Sequence, residues 1–195
     1  MKFLSKNTNS EILSTNLKYK ENAFENNRNL REKLIAEQKN FCAYTEKYLE
    51  ELDSPEVEHF NSQKKYNDDY YNYYVAIRKA NLYKKDEKYK NASFFTSLFF
   101  QDENEFKKRI RFADGIYYET NKKDIEAKEL IDFLGFNNSE LFSQRKRHSE
   151  RLTKLFKAAQ FNNENIIDYF KNHKQELSFI TVLEYELQMN LSQLL

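Results

Sequence analysis

The sequence predicts an α+β domain that is predominantly α. Three observations carry that expectation. The 195-residue chain holds only two glycines and one proline, apolar residues recur at helical spacing over several stretches, and one Asp-Gly pair separates two short alternating runs. A chain with so few turn formers folds mainly through long helices. Its 17 Phe and 14 Tyr supply core material even though 32% of the residues are charged.

Taken in order, residues 1–16 are polar and are expected to form a flexible N-terminus. A main domain over residues 17–160 follows. Its first helix is expected from about Leu17 to Gln38, with Leu30, Leu34 and Ile35 on the apolar side. Residues 41–60 break that pattern: FCAY and EVEHF read as short strands on either side of the turn signal Asp53-Ser54-Pro55. Residues 72–85 return to helical composition, with Ala76, Ala80 and Lys84 spaced four apart.

Ile110 and Phe112 alternate before Asp114-Gly115, and Ile116 and Tyr118 alternate after it, which specifies a hairpin closed by a type I′ turn. The next helix ends at Gly135 and is expected to bury Ile125, Leu130, Ile131, Phe133 and Leu134. Asn137 or Asn138 caps a further helix that runs through Leu141, Phe142, Leu152, Leu155 and Phe156 to about Gln160. Residues 161–195 read as one or two C-terminal helices that either complete the core or dock a partner subunit. No internal repeat or flexible linker divides the chain.

Composition narrows the function classes. Lys plus Arg number 32 against 31 acids, a net charge of +1, so any nucleic-acid surface must be a local patch. Cys42 is the single cysteine, which rules out an intrachain disulfide and a Cys-rich zinc site, and fits a cytoplasmic setting. No apolar run approaches the roughly 18 residues that cross a bilayer, so no membrane partner is expected, and the N-terminus lacks a signal-peptide pattern.

Four phrases occur in order: LIAEQKNFCAYTE (34–46), VEHF (57–60), YNYYVAIRKANLYK (71–84) and, within 110–145, IRFADGIYYETN followed by DIEAKELIDFLGFNNSELFSQR. The ordered set resembles HNH endonucleases of the kind found beside ATPases in Septu-type and retron-associated anti-phage systems. In those proteins a helix ending in an AEQ phrase leads into Cys-Ala-Tyr-Cys-Glu, a Glu-His-Phe strand end follows, and an Asn opens the segment running into a Cys-x-x-Cys-Asn helix. The likeness covers residues 30–152.

The resemblance implies a ββα-metal core embedded in a helical domain, with an additional hairpin. It implies His59 as general base, Asn72 as the asparagine that pins the histidine loop, and Glu58 and Asn81 as ligands of Mg²⁺ or Mn²⁺. Lys84, one turn beyond Asn81, would meet a phosphate or stabilise charge. Each residue type suits hydrolysis of a phosphodiester. A histidine takes a proton near neutral pH, and carboxylate and amide oxygens suit Mg²⁺. Regular strand alternation would separate Glu58 from His59, so a shared site requires the chain to bend there.

The zinc-knuckle cysteines of the family fall at Cys42, Thr45, Ile77 and Ala80, so no structural zinc is expected and side-chain packing takes its place. The resemblance also implies DNA as substrate and a hetero-oligomer with an ABC- or SMC-like ATPase subunit. The competing expectation is a catalytically silent HNH-like scaffold or DNA-binding subunit.

Each residue also has a plainer use. Glu58 and His59 could be a surface acid and a half-buried strand-end histidine. Arg145, Lys146, Arg147, Arg151 and Lys154 could line a nucleic-acid backbone or form a solvated helix face. The tyrosines of YNDDYYNYY (66–74) could stack bases or buttress the loop. Cys42 reads as an inert small hydrophobe, and His148 and His173 as solvated.

Overall fold

The computed structural model describes residues 1–65 and 67–195. The secondary structure runs α1 (Glu11–Ser14), α2 (Phe24–Glu37), β1 (Glu56–His59), β2 (Tyr73–Ala76), α3 (Arg78–Leu82), α4 (Phe94–Ser97), α5 (Glu103–Arg109), β3 (Ile110–Ala113), β4 (Ile116–Glu119), α6 (Ile125–Phe133), α7 (Ser139–Ala158), α8 (Asn163–Asn172) and α9 (Ile180–Leu187). The strands form two separate antiparallel ribbons, β1–β2 and β3–β4. The α+β expectation with helices predominant is therefore met.

The N-terminal segment departs from its expected looseness. Phe3, Leu4 and Ile12 are buried, and Tyr74 Oη donates to the Leu4 carbonyl over 2.8 Å. A polar average concealed three anchors spaced along an otherwise hydrophilic run.

Helix α2 begins at Phe24 rather than near Leu17. Asn27 clamps Lys20 by accepting from its amide (2.9 Å) and donating to its carbonyl (2.6 Å), and Asn26 donates to Lys18 O (2.7 Å). Residues 18–22 are thereby folded back as a strap instead of continuing the helix.

β2 corrects the helical reading of residues 72–85 over Tyr73–Ala76, while Arg78–Leu82 form α3. All four residues of β2 are buried. Tyr73 and Val75 pack with Leu30 and Leu34, while Tyr74 and Ala76 pack with Phe60, Phe94 and Phe133 in the main aromatic core. A strand covered on both faces shows no polar–apolar alternation, so period-2 patterning was absent from its sequence.

FCAY is likewise not a strand. Phe41 makes an isolated bridge with Tyr48, and residues 42–46 form a tight turn, closed by the Glu46 amide on Cys42 O at 2.9 Å. The turn is held to β2 through Ala43 N to Val75 O, 3.0 Å.

The β3–β4 hairpin matches its prediction, with Asp114 at φ +51° and Gly115 at +85° as a type I′ turn requires. Gly135 follows α6 at φ +61°. Asn138 caps α7 through the amides of Glu140 and Leu141, whereas Asn137 pairs with both backbone groups of Tyr117 (2.8 and 2.7 Å), tying the helix corner to the hairpin edge. Ile125, expected inside, is exposed, as is Leu155 on α7.

The apolar C-terminal stretch enters the core. Phe170, Leu177, Ile180, Leu183 and Leu191 pack with Leu152, Phe156, Phe3 and Phe41. No helix among the described residues is long and apolar enough to cross a membrane.

Candidate active site

β1 ends at His59, paired with Tyr73, while Glu58 pairs with Tyr74. The register is unbroken, so the two side chains leave opposite faces of the ribbon and the bend that a shared site needs is absent. His59 shares its face with Tyr73 and its ring meets Tyr19 edge-on at 4.9 Å and Tyr73 edge-on at 5.6 Å.

His59 Nδ1 is hydrogen-bonded to Asp68 Oδ2. Asp68 accepts twice more, from Asn72 Nδ2 at 3.1 Å and from Tyr73 Oη at 2.7 Å. Burial and the Asp68 carboxylate both push the Tyr73 phenol upward, which keeps it protonated and donating. A carboxylate facing Nδ1 places the ring proton there and leaves the Nε2 lone pair for chemistry.

Asn72 is bonded to the chain that leaves β1. Its Oδ1 accepts from the Asn61 amide (2.8 Å) and its Nδ2 donates to the Asn61 carbonyl (3.1 Å), so the chain leaving β1 is pinned two residues after His59. Tyr19, brought in by the strap, donates its amide to Tyr73 Oη at 3.2 Å.

Sequence reading missed Asp68 and Tyr19. Asp68 lies in a polar loop, nine residues beyond His59, and nothing in a run of Asn and Asp distinguishes the one that turns inward. Two clefts, of about 540 and 240 Å³, share Asn67 and Asp68 as walls. Lys64 and Tyr71 line the larger, and Lys18, Tyr19 and Tyr73 the smaller.

The metal ligands expected from the resemblance do not assemble. The Glu58 carboxylate is ion-paired with Lys84 Nζ, whose side chain is 2% exposed. Asn81 is half-buried on α3, and its side chain makes no hydrogen bond among the described residues. Desolvation pushes the Glu58 carboxyl upward against the pull of the Lys84 ammonium. With Lys84 Nζ seated on the carboxylate, Glu58 and Asn81 do not form a Mg²⁺ site, and Lys84 is too buried to reach a phosphate.

The four knuckle positions fare differently. The Cys42 thiol lies against the Thr45 side chain and the Ile77 backbone, and burial pushes it upward. Cys42 and Ala80 belong to the main core and Ile77 packs against it.

The basic run on α7 requires correction at Arg145. It lies on the buried stripe with Leu141, Ser149, Leu152 and Phe156, donates to Phe136 O at 2.5 Å and stands over the Tyr117 ring. Helical periodicity turns it inward, off the exposed face of α7 on which Arg147 and Lys154 lie. Arg151 is paired with Glu176, Lys146 approaches Glu150 at 3.9 Å, and Arg147 and Lys154 are exposed. His148 is not solvated: its Nε2 bonds Glu176 O at 3.0 Å. In the stretch 66–74, Tyr70, Tyr73 and Tyr74 are core residues and Tyr71 is exposed; Tyr66 lies outside the described residues.

The chain matches none of the family models, curated proteins or solved structures with which it was compared.

Proposed function

We propose that this chain is an HNH-type endonuclease that hydrolyses phosphodiester bonds of DNA, with His59 as general base. The observation that carries the reading is the His59–Asp68 pair at a strand end, with Asn72 bonded both to Asp68 and to the backbone two residues after the histidine, and with Asp68 lining two clefts. His59 Nε2 takes a proton from water as the water oxygen attacks phosphorus. The ester P–O bond breaks, and the proton passes to the departing alkoxide directly or through solvent. Asp68 fixes the ring and stabilises the imidazolium that forms. Lys64 and Lys18 on the cleft rims attract the phosphate backbone.

Further support comes from chain order. A β1–β2 ribbon is followed directly by α3, the order of a ββα core. Gln38, the last residue of the AEQ phrase, extends the ribbon by accepting from Val75 N (2.8 Å) and donating to Val75 O (2.9 Å).

The resemblance extends the proposal to a cytoplasmic anti-phage effector held by an ATPase subunit of the ABC or SMC type. Co-purification of the two subunits is the expected outcome when both are expressed from a natural gene neighbourhood.

The second reading, a catalytically silent scaffold or DNA-binding subunit, is favoured by the engagement of Glu58 with Lys84. Plasmid nicking separates the two. The nuclease reading expects cleavage by the wild type, its loss in His59→Ala, and a fall of about a hundredfold or more in Asp68→Asn. Cleavage that survives His59→Ala undiminished refutes it.

A further inference from the structure

We infer that Lys84 is the resident cation of the Glu58 site and takes the place of the divalent ion expected there. Its Nζ is surrounded by oxygens: a Glu58 carboxylate oxygen, the His59 carbonyl at 2.8 Å, the Phe60 carbonyl at 3.5 Å and Asp86 Oδ2 at 3.3 Å. Two carboxylates and two backbone carbonyls form the hard-oxygen set that otherwise takes Mg²⁺ or Mn²⁺. The Phe133 ring, 5.9 Å from Nζ, closes one side.

An ammonium tethered by its own side chain is present at a high effective concentration. It also has no tightly held water shell of the Mg²⁺ kind to shed on entering. A dication cannot share the space, because it would meet Lys84 at contact distance in a desolvated pocket. The two carbonyls belong to His59 and to the residue after it, so Lys84 fixes the backbone from which the histidine projects. The charge of a divalent ion at this seat is therefore supplied by the chain itself.

The consequence for hydrolysis rests on the nuclease reading; the cation site does not. Mn²⁺ binding, followed by electron paramagnetic resonance, tests the site directly in wild type, Lys84→Met, Glu58→Gln and the double variant. The expected result is no Glu58-dependent Mn²⁺ on the wild type, one tightly held ion per chain in Lys84→Met, and loss of that ion when Glu58→Gln is added. Mn²⁺ on the wild type that Glu58→Gln abolishes overturns the inference, as does a folded Lys84→Met that takes no ion. Should Lys84→Met fail to fold, the wild type against Glu58→Gln decides: equal Mn²⁺ binding supports the inference and a loss refutes it. On wild type that nicks DNA, cleavage is expected to persist in chelator. A chain that cleaves nothing removes the nuclease reading and leaves the Mn²⁺ result standing.

Discussion

Replacing Lys84 with Met removes one partner of a buried ion pair and leaves the other behind. The Lys84 and Glu58 side chains are 2% and 10% exposed, so water cannot take over the lost contacts. Stranding a buried charge in this way costs about 3–5 kcal/mol. At about 2–4 °C per kcal/mol for a chain of this size, the melting temperature should fall by roughly 6–20 °C at neutral pH.

The loss depends on pH in a defined direction. Glu58 is already raised by burial while Lys84 pulls it down, and without Lys84 it rises further. The folded variant then keeps a proton that the unfolded chain releases above about pH 4.3. Because the folded state holds more protons in that window, stability is greatest below the unfolded value and is lost as pH climbs through the folded one. The assay is urea unfolding at pH 5 and pH 8 in chelator, on wild type, Lys84→Met, Glu58→Gln and the double variant. Lys84→Met should be closer to wild type at pH 5 than at pH 8, and adding Glu58→Gln should recover part of the loss. A deficit of under about 1 kcal/mol at pH 8, or one equal at both pH values, refutes the reasoning.

Three further outcomes follow from other parts of the fold. Lys6, seated 3.8 Å above the Tyr74 ring and 4.5 Å above Tyr70, is pushed down to about 7 by burial. The unfolded chain therefore binds more protons above neutrality, so wild-type stability should gain about 1–3 kcal/mol between pH 7 and pH 10, and Lys6→Met should flatten that rise in pH-resolved unfolding. Gly135→Ala should cost about 2 kcal/mol by calorimetry, because φ is +61° and the new Cβ would lie 2.8 Å from Tyr83 Cβ. Cys42, fully buried with its thiol raised by that burial, should react with a thiol reagent only at the rate of global unfolding.

Local chemistry made much of the fold legible. The Asp-Gly hairpin, the Gly135 stop and the asparagine at the start of α7 each follow from a backbone requirement that few residues satisfy. The EVEHF strand was readable from its turn signal. The strand Tyr73–Ala76 was not, since burial on both faces erased the alternation that marks a half-exposed strand. The N-terminal strap was hidden too: Asn26 and Asn27 look like helix residues until their amides are seen holding Lys18 and Lys20.

At the site, sequence by itself determined the residue types and their order: a histidine at a strand end, an asparagine that closes its loop, and an acid beside it. Which of these face one another is a property of the tertiary structure. Strand register sent Glu58 and His59 to opposite sides, and loop closure turned Asp68 inward to His59 Nδ1. The turn after α3 delivered Lys84 into the oxygens where a metal ion was expected. The physical reason is that partner choice for a buried charge depends on three-dimensional proximity and desolvation, and neither is written in the spacing of residues along the chain.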